Sequence, residues 1–310
     1  MRVFVAGASG VIGRPLVKQL AAAGHEVIGA TSRPENAPRL QEAGARPVVC
    51  DALDAEAVRT AVDEAAPEVV VNELTRLPRE YDPRKIDYGP TNRARSVGGH
   101  NLIEAARSAG VRRFITQGIA FIYAPQGPMV KDEEAPPWTD APEPFGGGVA
   151  AMLDHEREAT QTPGLEGVVL RYGQFYGPGT YYASDGNIAD QVRRRRFPIV
   201  GRGEGVFSFI HIDDAASATV AALDRGTPGI YNVVDDEPAP LREWLPVYAE
   251  ALRARRPFRV PAFVARLAAG PFASAFATQL RGSSNSKAKR ELGWEPRYPS
   301  WRRGFREALG

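Results

Sequence analysis

The sequence predicts an α/β chain: a doubly wound parallel sheet carrying a smaller C-terminal lobe. Three observations carry that expectation. Short β-branched runs recur along the chain with helix-length segments between them. The runs are almost continuously apolar, as strands covered by helices on both faces must be. The chain also opens "MRVFVAGASGVIGRP", in which a strand-like run passes directly into three glycines spaced three apart, Gly7, Gly10 and Gly13. At 310 residues, 43% hydrophobic and 25% charged, the composition is that of a globular protein with a sizeable core, and it argues against a fibrous or disordered chain.

In order, the strand runs are "RVFVA", "EVIGA", "PVVC", "EVVVN", "RFITQ", "GVVLR" and "GIYNVV". After the first, Ile12, Leu16, Val17 and Leu20 recur near the helical period, and Gly24 is a stop signal. Further helices are expected at "DAEAVRTAVDEA", "NLIEAARSAG", "MLDHEREAT" and "DDAASATVAAL", with Asp54 capping the first of these and Asp213 or Asp214 the last. Two stretches break the rhythm. From Ala124 to Gly148 the chain is rich in Pro, Gly and acids and too long for an ordinary connection, so a lid or pocket wall is expected there. From "YGPGTYYASDGN" onward the alternation is lost, which predicts a substrate-side lobe over 174–310, with 209–234 returning to the sheet domain of 1–173.

A net charge of +2 predicts no nucleic-acid or membrane-surface partner. The start of the chain lacks the long apolar stretch and cleavage site of a secretory leader, so a cytoplasmic location is expected. Cys50 stands alone in "PVVC" and is expected to be a small buried hydrophobe. "PAFVARLAAGPFASAFATQL" is interrupted by Arg266 and Pro271, which predicts a kinked core or pocket-lining helix rather than a membrane span. His25, His100, His155 and His211 have no metal-ligand spacing, so no metal is expected; His155 is read as a surface residue and His211 as structural. Arg193 to Arg196 are read as a solvated face.

The opening glycines have a physical reading. A strand that turns sharply into a helix leaves the first amides of that helix, here around Val11 and Ile12, pointing at open space where the peptide dipoles favour an anion. Gly7 makes the turn, Gly10 admits a pyrophosphate, Gly13 lets the helix pack closely, and Ser9 offers a hydroxyl, which together predict a dinucleotide site. No Gly-Lys-Ser/Thr follows, which excludes a P-loop, and Val11 stands where a nucleophile elbow needs glycine. The second strand ends in "ATSR", so Arg33, or Arg39 in its stead, rather than an acid meets the ribose, and NADP(H) is favoured over NAD(H). Asp51, ending the third strand, is expected to bond the adenine amino group.

Taken together, "AGASGVIG", Asp51, "TNRARSVGGHNLIEAARSAGVRRFI", "LRYGQFYGPG", "SFIHIDDAASATVAAL" and "SKAKRELGWEPRYPSW" resemble the short-chain dehydrogenase/reductase superfamily, in its extended epimerase/dehydratase-like branch. The resemblance covers nearly the whole chain and implies a Rossmann-like sheet binding NAD(P), a C-terminal lobe binding substrate, and commonly a homodimer. It also implies that Asn92 braces the active centre, that Ala52, Leu74, Thr116 and Gln117 lie along the cofactor, and that Tyr172 and Gln174 of "YGQF" pass beside the nicotinamide.

The departures bear on chemistry. Members usually carry a Ser or Thr after the fifth strand, where Gly118 or Ile119 stands here, and a helical Tyr-x-x-x-Lys pair, whose positions fall on Phe145 and Val149. Neither side chain can move a proton, and no Tyr-x-x-x-Lys is expected elsewhere in the chain, so it resembles an atypical member that keeps the cradle and has lost or replaced the acid–base pair. Phe207 occupies the place of an arginine that often clasps a sugar-nucleotide diphosphate, which points to a less charged, aromatic or polyketide-like substrate. Tyr123, Tyr181 and Tyr182 are the candidate phenolic donors and Gln117 a neutral donor, whereas Tyr176 is expected to support its loop. Three readings stay open: an NADP(H)-dependent oxidoreductase with a non-standard proton donor, a non-catalytic NADP(H)-binding sensor, and a non-redox lyase, isomerase or cyclase.

Overall fold

The computed structural model describes residues 1–78, 80–82 and 84–309. All the predicted runs form strands of one parallel sheet: β1 (Arg2–Ala6), β2 (Glu26–Thr31), β3 (Ala45–Val49), β4 (Val69–Asn72), β5 (Arg113–Ile119), β6 (Glu166–Tyr172) and β7 (Gly229–Val233). Across the sheet the order is β7-β6-β5-β4-β1-β2-β3. The order reverses between β1 and β4, and the crevice beyond their carboxyl ends is where an open α/β sheet binds ligands.

Helices cover both faces. On one, α1 (Gly13–Ala22) and α8 (Ile212–Ala221) pack over Val3, Val5, Val69 and Val71; on the other, α3 (Ala55–Ala65), α5 (Gly99–Ser108) and α6 (Phe145–Gln161) cover Phe4, Val70 and Phe114. Asp54 caps α3 as expected, accepting from the amides of Glu56 and Ala57 at 3.0 and 3.1 Å. The cap of α8 differs: His211 accepts from the Asp213 amide at 3.2 Å, while Asp214 turns back to accept from the amides of Arg297 and Tyr298, both at 2.9 Å. An acid in the first turn of a helix suits the dipole, yet here it ties the C-terminal segment to the sheet domain instead.

The lobe is built on aromatic packing. Phe209 meets Trp244 and Phe305 edge-on, with ring centroids 5.2 and 5.1 Å apart, inside a cluster that includes Tyr176, Tyr182, Phe207, Tyr248 and Trp301. Its longest helix, α10 (Ala262–Gln279), is bent at Gly270, whose φ of 91° is left-handed and whose follower is Pro271, so the expected kink is present. Among the described residues no helix is long and apolar enough to cross a membrane.

Three expectations change. His155 is buried rather than exposed. Cys50 is half-buried rather than enclosed, and desolvation with Asp51 and Asp54 nearby lifts its thiol to about 11. The stretch 124–148 is mostly a buttress: Trp138 and Ala141 pack with Phe272 and Ala275 of α10, and of this stretch the cavity meets Phe145 and Gly148.

Candidate active site

Beyond the carboxyl edge of the sheet lies a cavity of about 820 Å³ that runs from the glycine turn at Gly10–Gly13 to the aromatic lobe. The three glycines have separate causes. Gly7 takes a φ of 80°, and a Cβ there would come within 2.6 Å of the Glu73 carbonyl oxygen. A Cβ on Gly13 would sit 2.3 Å from the Gly7 carbonyl oxygen, so α1 is seated directly on the turn. Gly10 borders the cavity, and a Cβ on it would meet no described atom except the Gly7 carbonyl oxygen, at 3.0 Å, within 4 Å. Among the described residues no side chain caps α1. An uncapped helix start bordering the cavity over a bare backbone fits a pyrophosphate.

The other candidate cofactor residues occupy the same edge. Ser9 shares a 3.2 Å hydrogen bond with Thr31 at the end of β2, and the Arg33 amide donates to the same threonine hydroxyl at 3.3 Å, leaving the arginine side chain exposed. Asp51 accepts from the Leu53 amide at 3.1 Å and stands 3.8 Å from Arg76. The Ala52 carbonyl accepts from Asn101 at 2.9 Å, and the Leu74 carbonyl accepts from Gln117 at 2.8 Å. Gln117, Tyr172 and Gln174 line the cavity. Thr116 and Asn92 do not. The Thr116 hydroxyl is fully buried against His155 Nε2 at 2.8 Å, and Asn92 Oδ1 lies near Gly148 of α6, 3.8 Å from where a Cβ would be.

Of the phenols, Tyr123 stands apart from the cavity. It donates to Asn232 Oδ1 at 2.7 Å and accepts from Arg171 at 3.1 Å, beside the buried Arg171–Glu156 ion pair at 2.6 Å, so it serves the core and not a reacting centre. Tyr181 and Tyr182 both line the cavity; Tyr181 donates to the Pro78 carbonyl, while Tyr182 is wedged among Phe209, Trp244 and Tyr248. Burial raises both phenols above their ordinary range. Phe145 also lines the cavity, stacked 6.3 Å from Phe121 and edge-on to Phe276 at 5.9 Å, whereas Val149 is wholly buried elsewhere. Contrary to the reading from sequence, a Tyr-x-x-x-Lys spacing does occur, at Tyr81 and Lys85, between β4 and α4 (Gly89–Arg93), but neither residue belongs to a described helix.

Among the groups lining the cavity, sequence reasoning missed a buried acid and a buried guanidinium, Glu73 and Arg95. Glu73, one residue past β4, lines the cavity beside the glycine turn; it is buried, accepts from Tyr172 at 2.9 Å, and leaves Oε2 without a partner among the described residues. Desolvation lifts its carboxyl to about 8 despite that hydrogen bond, so it is largely neutral near pH 7 and does not repel a phosphate. Its position at the switch point of the strand order was a usable signal. Arg95 also lines the cavity, from the π-helical turn Ala94–Gly98 that joins α4 to α5. That turn breaks the 3.6-residue period, so helical periodicity could not foretell which way Arg95 points.

The model of the NAD dependent epimerase/dehydratase family matches residues 3–233. The chain belongs to that family. It is 48% identical over 306 residues to a Streptomyces protein named "3-diazoavenalumate denitrifying reductase", covering 98% of this chain and 99% of that one. Among solved structures it is similar to a Thermus thermophilus UDP-glucose 4-epimerase in complex with NAD, at 27% identity and a TM-score of 0.74, covering 100% of this chain and 98% of that one. A human epimerase family protein with NADPH, at 20% identity and a TM-score of 0.76 over 100% and 99% of the two chains, shares the fold. This family member is an oxidoreductase-like enzyme, and its relatives support a nicotinamide cofactor.

Proposed function

We propose that this enzyme is an NADPH-dependent reductase that replaces the diazo nitrogens of an apolar organic carboxylate by hydrogen; the reading is supported by the name of its Streptomyces relative, a denitrifying reductase of 3-diazoavenalumate. The observation that carries the reading is Phe145, stacked on Phe121 in the cavity wall where the family resemblance puts a proton-moving tyrosine. A carbonyl accepting hydride needs a proton on oxygen. A diazonium carbon does not: the new C–H bond takes the hydride pair, the C–N bond breaks, and N2 leaves with that bond's electrons. No proton is consumed, so a wall without an acid–base pair is chemically sufficient.

Bound NADPH would supply the hydride. The chain's own contribution is to bind and orient. The amides opening α1 hold the pyrophosphate, Arg33 takes the 2′-phosphate, Asp51 the adenine, and Gln117 and Gln174 align the nicotinamide end. Phe121, Phe145 and Phe276 exclude water from an easily hydrolysed cation, and Tyr181 and Tyr182 close the substrate side as packing surfaces. On this reading the protein is a cytoplasmic homodimer acting on a small molecule.

The test is anaerobic mixing with para-carboxybenzenediazonium and NADPH deuterated at nicotinamide C4. Benzoate carrying deuterium at the former C–N carbon, formed faster than without protein, is the expected product. Consumption of NADPH with ketones but never with the diazonium would overturn the diazo reading and favour a carbonyl reductase, with Tyr181 the phenol to test as its proton donor.

A further inference from the structure

We propose that Arg95 is the anchor for the substrate's carboxylate, fixing an apolar acid with its charged end on the π-helical turn and its body along Phe121, Phe145 and Phe276. The inference deepens the reductase reading and rests on it for the direction from which hydride arrives. Arg95 is 8% exposed and lines the cavity, and its Nε has no hydrogen-bond partner among the described residues. The acid nearest in charge, Glu156, is already engaged by both Nε and Nη2 of Arg171, at 2.9 and 2.6 Å. Glu73, the other buried ionisable group of the wall that could carry negative charge, is largely neutral near pH 7. A guanidinium removed from water without a counter-ion is costly, and a carboxylate in its fork repays that cost. Burial accordingly pulls Arg95 down to about 10, against a smaller upward influence of the neighbouring Tyr88 and Glu156.

The sheet says whose anion this is. The cofactor's phosphates belong at the start of α1 above β1 and at Arg33 after β2. Arg95 faces α6, whose His155 and Glu156 feel its charge, on the β4–β5 side of the reversal, with Gly118 and Ile119 of β5 in the same wall. Neighbouring strands lie about 4.8 Å apart, so β5 is about 10 Å from β1, out of reach of the pyrophosphate. On that side the cofactor offers only an uncharged ribose and its nicotinamide. The anion is therefore the substrate's.

The test titrates the NADPH-loaded protein with trans-cinnamate, a flat apolar carboxylate, and with its methyl ester. Wild type should bind cinnamate roughly ten- to hundredfold more tightly than the ester. Arg95→Met should lose that preference while binding ester and NADPH as wild type does, and Arg95→Lys should restore part of it. Because Met removes an unpaired buried charge, the unliganded variant should melt at or above the wild-type temperature. Cinnamate bound equally by wild type and a folded Arg95→Met, no preference in wild type, or weakened NADPH with unchanged cinnamate would each overturn the assignment. None depends on turnover, so these failures are separable from failure of the diazonium assay.

Discussion

Glu73 turns the chemistry of the cradle into a pH dependence. Its carboxyl is raised from 4.5 to about 8 by burial, so the folded state prefers it protonated. The resulting stability is fully present below about pH 4.5, is lost as pH rises towards about 8, and is flat beyond. Glu73→Gln, a neutral mimic of the protonated acid, should flatten that slope, leaving the variant more stable than wild type by about 5 kcal/mol at pH 9 and nearly equal at pH 4.5. Urea melts at the two pH values measure it. NADPH affinity in wild type should likewise fall above about pH 8, where the carboxylate would face the phosphates, and the variant should be spared. On the proposed reading a second residue, Arg33, decides the cofactor. Arg33→Ala should weaken NADPH about tenfold while leaving NADH within about twofold if that side chain meets the 2′-phosphate; equal losses would count against the NADP(H) preference.

At the level of elements, the seat of α1 governs binding. Alanine at Gly13 would drive its Cβ to 2.3 Å from the Gly7 carbonyl oxygen and 2.6 Å from the Ala8 carbonyl, and both are backbone. The helix must lift off the turn, so Gly13→Ala should lose about 1–3 kcal/mol of stability and at least about tenfold in NADPH affinity. Calorimetric titration of the folded variant checks this. The irregular segment after β4 is the other decisive element. Tyr81 is held to α7 (Asn187–Arg193) through its amide on Asn187 at 2.9 Å and its carbonyl on Gln191 at 2.7 Å, and the Tyr181 hydroxyl reaches Pro78. This segment supplies much of the pocket wall that composition alone had assigned to 124–148, to which that stretch adds Phe145 and Gly148. Proline and acid content marks a long connection, but only the packing partners decide which connection meets the cavity.

At the scale of the molecule, one buried ion pair ties α6 to β6 and, through Tyr123 and Asn232, to β7. Arg171 and Glu156 are nearly inaccessible and 2.6 Å apart. Removing one partner strands the other charge, so Glu156→Gln should destabilise the fold by about 3 kcal/mol, read by thermal or urea unfolding. The same network explains why Tyr123, a reasonable donor from sequence, is structural: it lies outside the cavity lining with its hydroxyl already committed to Asn232 and Arg171. His155 changes for a related reason. It lies on the helix face turned towards β4 and β5, where Asn72 and Thr116 satisfy Nε2, and burial holds its imidazole down at about 4.

What the amino-acid order determined by itself is the part encoded in near neighbours. The strand runs, the glycine turn, the cap at Asp54 and the bend at Gly270 each follow from steric and hydrogen-bonding preferences within a few residues of chain, and the cradle for a dinucleotide is legible there. What only the tertiary structure decided are the properties set by burial and by partners distant in sequence. Burial keeps Glu73 largely neutral near pH 7, Arg95 Nε has no partner among the described residues while Arg171 holds Glu156, and the Tyr123 hydroxyl is committed to Asn232 and Arg171. A side chain's chemistry depends on the charges and water that remain within a few ångströms of it, and those are known only once the chain has folded.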